Sequence, residues 1–212
     1  MASNAPHIVE LDRRAVELSV QIVKQARPPD LTRPTPCSGW NLGQLLEHMT
    51  AQHYVFAAAS RGLDGNPRAW LPPPAADGQV TAYDEAARYV LDCFAEPQAM
   101  CRSFVLRDIN PALAFPADEA ISFHFVDYVV HGWDVARALE VPYPVSEDVA
   151  EAALLVARRV PDGPRRLTPD AAFRPGLGVP DGATAIDETV AALGRSPAWP
   201  GRPAAQRAGS GD

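Results

Sequence analysis

Apolar residues recur at helical spacing along this chain, in stretches set apart by proline. Between Ile8 and Ala26, Val16, Val20 and Val23 fall on one helical face among charged neighbours. A second stretch opens at Asn41, a residue type that caps helix N-termini. It carries Leu42, Leu45, Leu46, Met49, Val55 and Phe56 towards Arg61 and Gly62. A third begins near Thr81, with Asp84 and Glu85 in its first turn, and runs through Ala86, Tyr89, Val90 and Phe94. Pro97 ends or kinks it, and Gln98 to Val105 can continue as a separate helical piece. A fourth opens at Pro116-Ala117-Asp118-Glu119, where proline and acids suit a first helical turn, and runs unbroken to about Glu140. A fifth runs from Ser146, an N-cap followed by Glu147 and Asp148, to Val160, and a short one covers Ala183 to Leu193.

The 22 prolines gather between these stretches, at Pro28-Pro29, Pro34, Pro36, Pro72-Pro73-Pro74, Pro111, Pro116 and from Pro161 onward. Four helices of roughly 18–25 residues joined by such loops predict an all-α fold, a four-helix bundle with an additional C-terminal helix. The connection from Gly62 to Gln79 is too long for a simple hairpin and predicts a long crossover. Residues 1–199 read as a single domain, and 200–212, rich in Gly, Ala, Arg and Pro, as a disordered tail.

A formal net charge of −7 and a pI near 5.2 argue against a nucleic-acid partner, because phosphate binding needs a basic footprint. No run approaches the ~20 apolar residues of a membrane-spanning helix, and the start shows no secretory pattern. The three cysteines, with no CxxC pair, suggest no disulfide framework and read by default as small buried thiols. The expected compartment is the cytoplasm. Homodimerisation fits a bundle with an exposed helix face, with no interface marked.

The candidate chemistry lies in the histidines. Asp127 and His131 are four apart in a helical stretch, about 40° apart around its axis, so both can address one point. Their neighbours Ile121, Phe123, Phe125, Val126, Val129 and Val130 are apolar, and a buried carboxylate and imidazole need a partner or a metal. His48, beside Leu45, Leu46 and Met49, can approach from a second helix. Three protein ligands from two helices, with coordination positions left open, form the pattern of a catalytic metal site. His124 is a candidate fourth ligand, acid/base residue or outer-shell group, or equally a capped core histidine. His53 lies about 140° round the helix from His48 and points elsewhere. His7 sits in a flexible leader. Asp134, three residues past His131, can orient a neighbouring side chain, and Arg102, Arg107 and Arg137 read as solvated surface.

Thr35-Pro36-Cys37-Ser38-Gly39-Trp40-Asn41-Leu42, leading into Leu46-Glu47-His48, resembles the entry to the second helix of DinB-like metal-binding proteins. It is more similar still to the actinobacterial branch named after mycothiol-dependent maleylpyruvate isomerase. Asp127-Tyr-Val-Val-His131-Gly-Trp133-Asp134-Val-Ala-Arg137-Ala resembles that branch's ligand helix, and Pro180 to Pro197 matches a small-protein subgroup. The resemblance implies a DinB-like four-helix bundle with metal ligands at His48, Asp127 and His131. The family's usual carboxylate is glutamate, where this chain has Asp127. The isomerase also carries a C-terminal domain for which this chain leaves no room.

Two imidazoles and a carboxylate suit Zn²⁺, with Ni²⁺ or Fe²⁺ as alternatives. Such a site implies thiol-dependent chemistry on a small electrophilic substrate, of the S-transferase or cis–trans isomerase type. Mycothiol as the thiol cosubstrate comes from the resemblance alone. The alternatives are metal-dependent chemistry without a thiol (hydrolase, lyase or cyclase) and a non-catalytic metal-binding protein.

Overall fold

The structure is a computed structural model that describes residues 5–37, 39–63, 78–168 and 171–201. Six α-helices are present among them: α1 (Ala5–Val23), α2 (Leu42–Ser60), α3 (Gln79–Ala95), α4 (Ala117–Leu139), α5 (Glu147–Ala157) and α6 (Ala185–Ala192). A short antiparallel pair, β1 (Ser103–Val105) with β2 (Ala114–Pro116), joins α3 to α4 in the register Phe104 opposite Phe115.

The first four helices form the predicted all-α bundle. α1 packs most extensively on α4 and α2 on α3, while α1–α3 and α2–α4 contacts close the ring. α1 and α2, consecutive in the chain, therefore sit on opposite corners, as do α3 and α4. One core layer joins Val16, Leu42, Leu45, Leu46, Met49, Tyr83, Tyr128 and Val135. A second, towards the other end, joins Phe56, Val90, Phe94, Phe104 and Ile121.

α4 is buried on every side from Tyr128 to Ala136. A helix apolar all round must be covered all round. The bundle covers one face; α5 and α6 cover the other, where Phe125, Val129 and Trp133 meet Val149, Ala153, Val190 and Leu193. This places α4, the helix that carries Asp127 and His131, between the bundle and its α5–α6 cover.

Local signals account for the starts of α2 and α6. The Asn41 side chain accepts from the Gln44 amide while the Gln44 side chain accepts from the Asn41 amide, a reciprocal capping box that starts α2. Thr184 caps α6 through the Asp187 amide. Ser146 precedes α5, but its hydroxyl accepts from Arg14 instead of capping the helix. Gly132 answers a close approach: a Cβ there would lie 3.0 Å from the Tyr143 Oη and 3.3 Å from the Ser19 Cβ.

Three expectations need correction. Gln98 to Val105 does not continue as α-helix; a 3₁₀ turn at Ala99–Cys101 leads into β1. Strands of three residues are too short to show a period of two, so their pairing is invisible in the pattern. α1 starts at Ala5, so the backbone of His7 is helical rather than part of a leader. Cys101 is exposed, whereas Cys93 is buried and Cys37 partly so; all three are free thiols. The expected crossover segment (64–77) and most of the expected tail (202–212) lie outside the described residues.

Candidate metal centre

α2 and α4 bring His48, Asp127 and His131 together. One ligand atom from each lies within 4.8 Å of the other two. The capping box at Asn41 fixes where α2 begins, and His48 follows two turns in. Its ring packs on Trp40 (centroids 4.7 Å) and edge-on to His131 (5.4 Å). Asp127 and His131 are one turn apart on α4, with His131 Nε2 3.4 Å from Asp127 Oδ1. The His131 side chain is 5% exposed and that of Asp127 22%, so solvent reaches the group from the Asp127 side.

The two nitrogens of His131 face different groups. Nδ1 lies 3.0 Å from Asp134 Oδ2, and the same oxygen accepts from Arg195 Nη2 at 3.3 Å. A guanidinium only donates, so the oxygen it meets is an acceptor and Nδ1 carries the hydrogen. In the neutral ring, Nε2 then presents a lone pair to the Asp127 carboxylate. Nε2 so disposed and Asp127 Oδ1 face each other at 3.4 Å, a pair that only a proton or a metal cation between them reconciles. Ligands bound tetrahedrally at about 2.0–2.2 Å stand about 3.3–3.6 Å apart, so the observed spacing fits that geometry. His48 could complete such a donor set: burial, reinforced by the nearby His131, holds its pKa below the ordinary value against the pull of Asp127 and Asp108. A neutral imidazole is the form that binds a metal.

Cys37, in the loop before α2, lies within the same 4.8 Å limit of His131 and Asp134. Burial pushes its thiol up to about 11, although Arg195 opposes the shift. At neutral pH it is a thiol and not a thiolate.

His124 is not brought to this group. Its Nδ1 lies 2.6 Å from Asp12 Oδ1 and its Nε2 3.1 Å from His53 Nδ1. All three side chains are fully buried. His53 points away from the His48 group, as its position on the helix predicts; it stacks on Tyr128 at 3.9 Å and ends this chain, with its Nε2 unpartnered. Burial drives the His53 pKa well below the usual histidine value and raises that of Asp12. Nearby, Ser19 and Tyr83 share a hydrogen bond of 2.5 Å, and Tyr128 Oη donates to the Met49 carbonyl.

Sequence reasoning missed Asp12 and Arg195. Asp12 had a signal: it lies three and four residues before Ala15 and Val16, on the buried face of α1. Arg195 had none beyond following a glycine after a short helix. Of the other arginines, Arg137 stacks over Trp133 at 5.1 Å and donates to the Pro197 carbonyl, and Arg102 donates to the Ser60 carbonyl.

Comparison with known proteins places the chain in a family. The model of the mycothiol maleylpyruvate isomerase N-terminal domain matches residues 13–136, a span that contains His48, Asp127, His131 and Asp134. Two uncharacterized proteins of Mycobacterium tuberculosis, from strains CDC 1551 / Oshkosh and ATCC 25618 / H37Rv, are 28% identical over 185 residues. The match covers 87% of this chain and 95% of each relative. No solved structure matches. With more than half of its length matched by the family model, the chain belongs to the mycothiol maleylpyruvate isomerase N-terminal domain family.

Proposed function

We propose that His48, Asp127 and His131 hold a divalent cation, Zn²⁺ in the first instance, and that the protein uses it for thiol-dependent chemistry on a small electrophile. The observation that carries the reading is the pair of acceptors, His131 Nε2 and Asp127 Oδ1, facing each other at 3.4 Å with Nδ1 committed to Asp134. Ni²⁺ and Fe²⁺ suit the same donors, since imidazole and carboxylate discriminate weakly among these ions. A cation held by three protein ligands keeps a position open and lowers the pKa of a thiol bound there.

The chain's own residues supply the rest. Trp40 packs against His48 and limits the orientations of that ring. Asp134 fixes the tautomer of His131, and the burial of His131 keeps water from its ring. The partly exposed side of Asp127 is where a substrate and a low-molecular-weight thiol would enter. Mycothiol as that thiol is inferred from the family, and transfer or cis–trans isomerisation as the outcome rests on the same inference.

Elemental analysis of protein purified without added metal is the first test, repeated on Asp127→Ala. One cation per chain in the wild type and a large loss in the variant are expected. Full stoichiometry in Asp127→Ala would remove Asp127 from the ligand set. Turnover of an activated alkene, with and without added thiol, then tests the chemistry. Activity independent of thiol would replace it with hydrolytic or lyase chemistry at the same ion.

A further inference from the structure

We propose that Arg195 is a positioning residue for the metal centre, acting through Asp134 to hold His131 in the tautomer that leaves Nε2 free to bind. The proposal rests on the reading of His48, Asp127 and His131 as ligands. It extends the centre to a part of the chain that lies outside residues 13–136, the span matched by the family model.

The placement of Arg195 is built into the chain. α6 ends at Ala192 with Leu193 as its C-cap, and Gly194 adopts φ +82, the left-handed conformation that glycine enters without steric cost. The Gly194 amide donates to Ala191 O at 3.0 Å and the Arg195 amide to Val190 O at 2.8 Å, the paired bonds of a Schellman cap. A side chain at 194 would also strike the Arg174 backbone, 2.6 Å from an added Cβ. The turn therefore has one geometry, and it sends the Arg195 side chain inward.

There the guanidinium is 4% exposed, an unusual position for arginine. Nη1 donates to the Leu193 carbonyl at 3.0 Å. Nη2 donates to Asp134 Oδ2 at 3.3 Å and to Cys37 Sγ at 3.7 Å, and the group lies over the Phe173 ring at 5.5 Å. Arg195 thus ties three segments together: the end of α6, the ligand helix α4, and the loop that leads through Trp40 into α2.

The consequence for His131 comes from counting donors. A guanidinium offers only N–H groups, so the oxygen it meets is an acceptor. Asp134 Oδ2 receives both Arg195 and His131 Nδ1, while Oδ1 has no partner. With Arg195 present, the oxygen that faces Nδ1 is fixed in place and in role. Without it, the carboxylate can turn, and Nδ1–H is no longer held. Groups that orient a ligating histidine in this way typically account for about 10–100-fold in metal affinity.

The test uses the full chain, with two readouts. Imidazole ¹⁵N–¹H spectra of the metal-free protein report the His131 tautomer, and competition titration with Co²⁺, together with its visible spectrum, reports the centre. In Arg195→Ala we expect a shifted His131 Nδ1 signal with faster proton exchange, an altered Co²⁺ spectrum, and affinity lower by about 10–100-fold. Arg195→Lys, which restores a charge but not the fork, is expected to recover part of each. Arg166 is the control: it is also buried, and it anchors the C-terminal segment through the carbonyls of Val160, Pro161, Arg174 and Ala192 without touching Asp134. Arg166→Ala should leave the His131 signal and the Co²⁺ spectrum unchanged.

Native His131 signals and wild-type Co²⁺ affinity in Arg195→Ala would overturn the proposal, as would an Arg166→Ala variant with the same defects. Should Arg195→Ala fail to fold, Arg195→Met, of similar length and able to pack on Phe173, takes its place with the same expectations. The two readings fail separately. Wild-type protein that binds no Co²⁺, with His131 still perturbed in Arg195→Ala, removes the metal and keeps the positioning. Wild-type protein that binds Co²⁺, with an indifferent Arg195→Ala, does the reverse.

Discussion

Replacing Asp12 decides what the second histidine group is. Asp12 and His124 are both 0% exposed and 2.6 Å apart, and His53, also 0% exposed, lies 3.1 Å further on. The chain carries no net charge in the arrangement where an Asp12 hydroxyl donates to His124 Nδ1 and His124 Nε2–H donates to His53 Nδ1. Burial favours that form at both ends, raising Asp12 and lowering His53. Asp12→Asn keeps an N–H donor for His124 Nδ1, so its cost at neutral pH should stay within about 1 kcal/mol, the net worth of a typical hydrogen bond. Asp12→Ala leaves a buried ring nitrogen unpaired and should cost about 1–3 kcal/mol before any cavity term. At roughly 2–4 °C per kcal/mol for a chain of this size, the melting temperature should fall by no more than about 4 °C for Asn and by roughly 2–12 °C for Ala. The pH dependence has a definite sign. The folded pKa of Asp12 lies above the unfolded 3.8, so its contribution is full below 3.8 and is lost as pH rises through the folded value. Asparagine has no such loss, so the variant gains on the wild type as pH rises, by at most about 1.4 kcal/mol per unit. Calorimetric melts between about pH 4 and 8 measure both effects. A loss of about 3–5 kcal/mol in Asp12→Asn, growing as pH rises, would refute the reasoning and mark Asp12 as a buried anion paired with an imidazolium. Metal content should be unchanged in Asp12→Asn, since His124 and His53 stand apart from the ligand group.

Other consequences are as direct. Zn²⁺ at about 100 times its dissociation constant should stabilise the wild type by about 2.7 kcal/mol, or roughly 5–11 °C. Asp127→Asn should lose most of that shift in melts against a chelated control; an equal shift would exclude the carboxylate as a ligand. The folded pKa of His53 lies well below 6.5, so its contribution is full above 6.5 and is lost as pH falls below that value. The decline in stability from about pH 7 to 5 should be shallower in His53→Phe, a ring that can still stack on Tyr128; an unchanged slope would assign the acid sensitivity elsewhere. Asn41→Ala removes the capping box that starts α2 and should cost about 0.5–2 kcal/mol by denaturant titration. A loss below the error of that titration would show that packing alone sets the start of the helix that carries His48.

How far the site could be read from the chain depends on the distances over which sequence carries information. Asp127, His131 and Asp134 are separated by about one helical turn at each step, and a period of about 3.6 places them relative to one another before any tertiary structure is known. His48 was legible because its apolar neighbours Leu45, Leu46 and Met49 mark that stretch as interior. Asp12 could have been found by the same rule, and was obscured because Leu11, Leu18 and the charged residues of α1 blur the apolar face. Arg195 could not: it is 61 residues from Asp134, and no period relates them. Yet, in the role proposed for it, it is the residue that assigns the two nitrogens of His131. The spacing within α4 lets either nitrogen meet a carboxylate, Nε2 with Asp127 one turn back and Nδ1 with Asp134 one turn ahead. A single neutral imidazole can donate to only one of them. The guanidinium on Asp134 selects that side, which turns Nε2 and Asp127 from a hydrogen-bonded pair into two lone-pair donors aimed at the same point. On the proposed reading, the helix supplies two of the ligands, and a turn far away in the chain orients one of them.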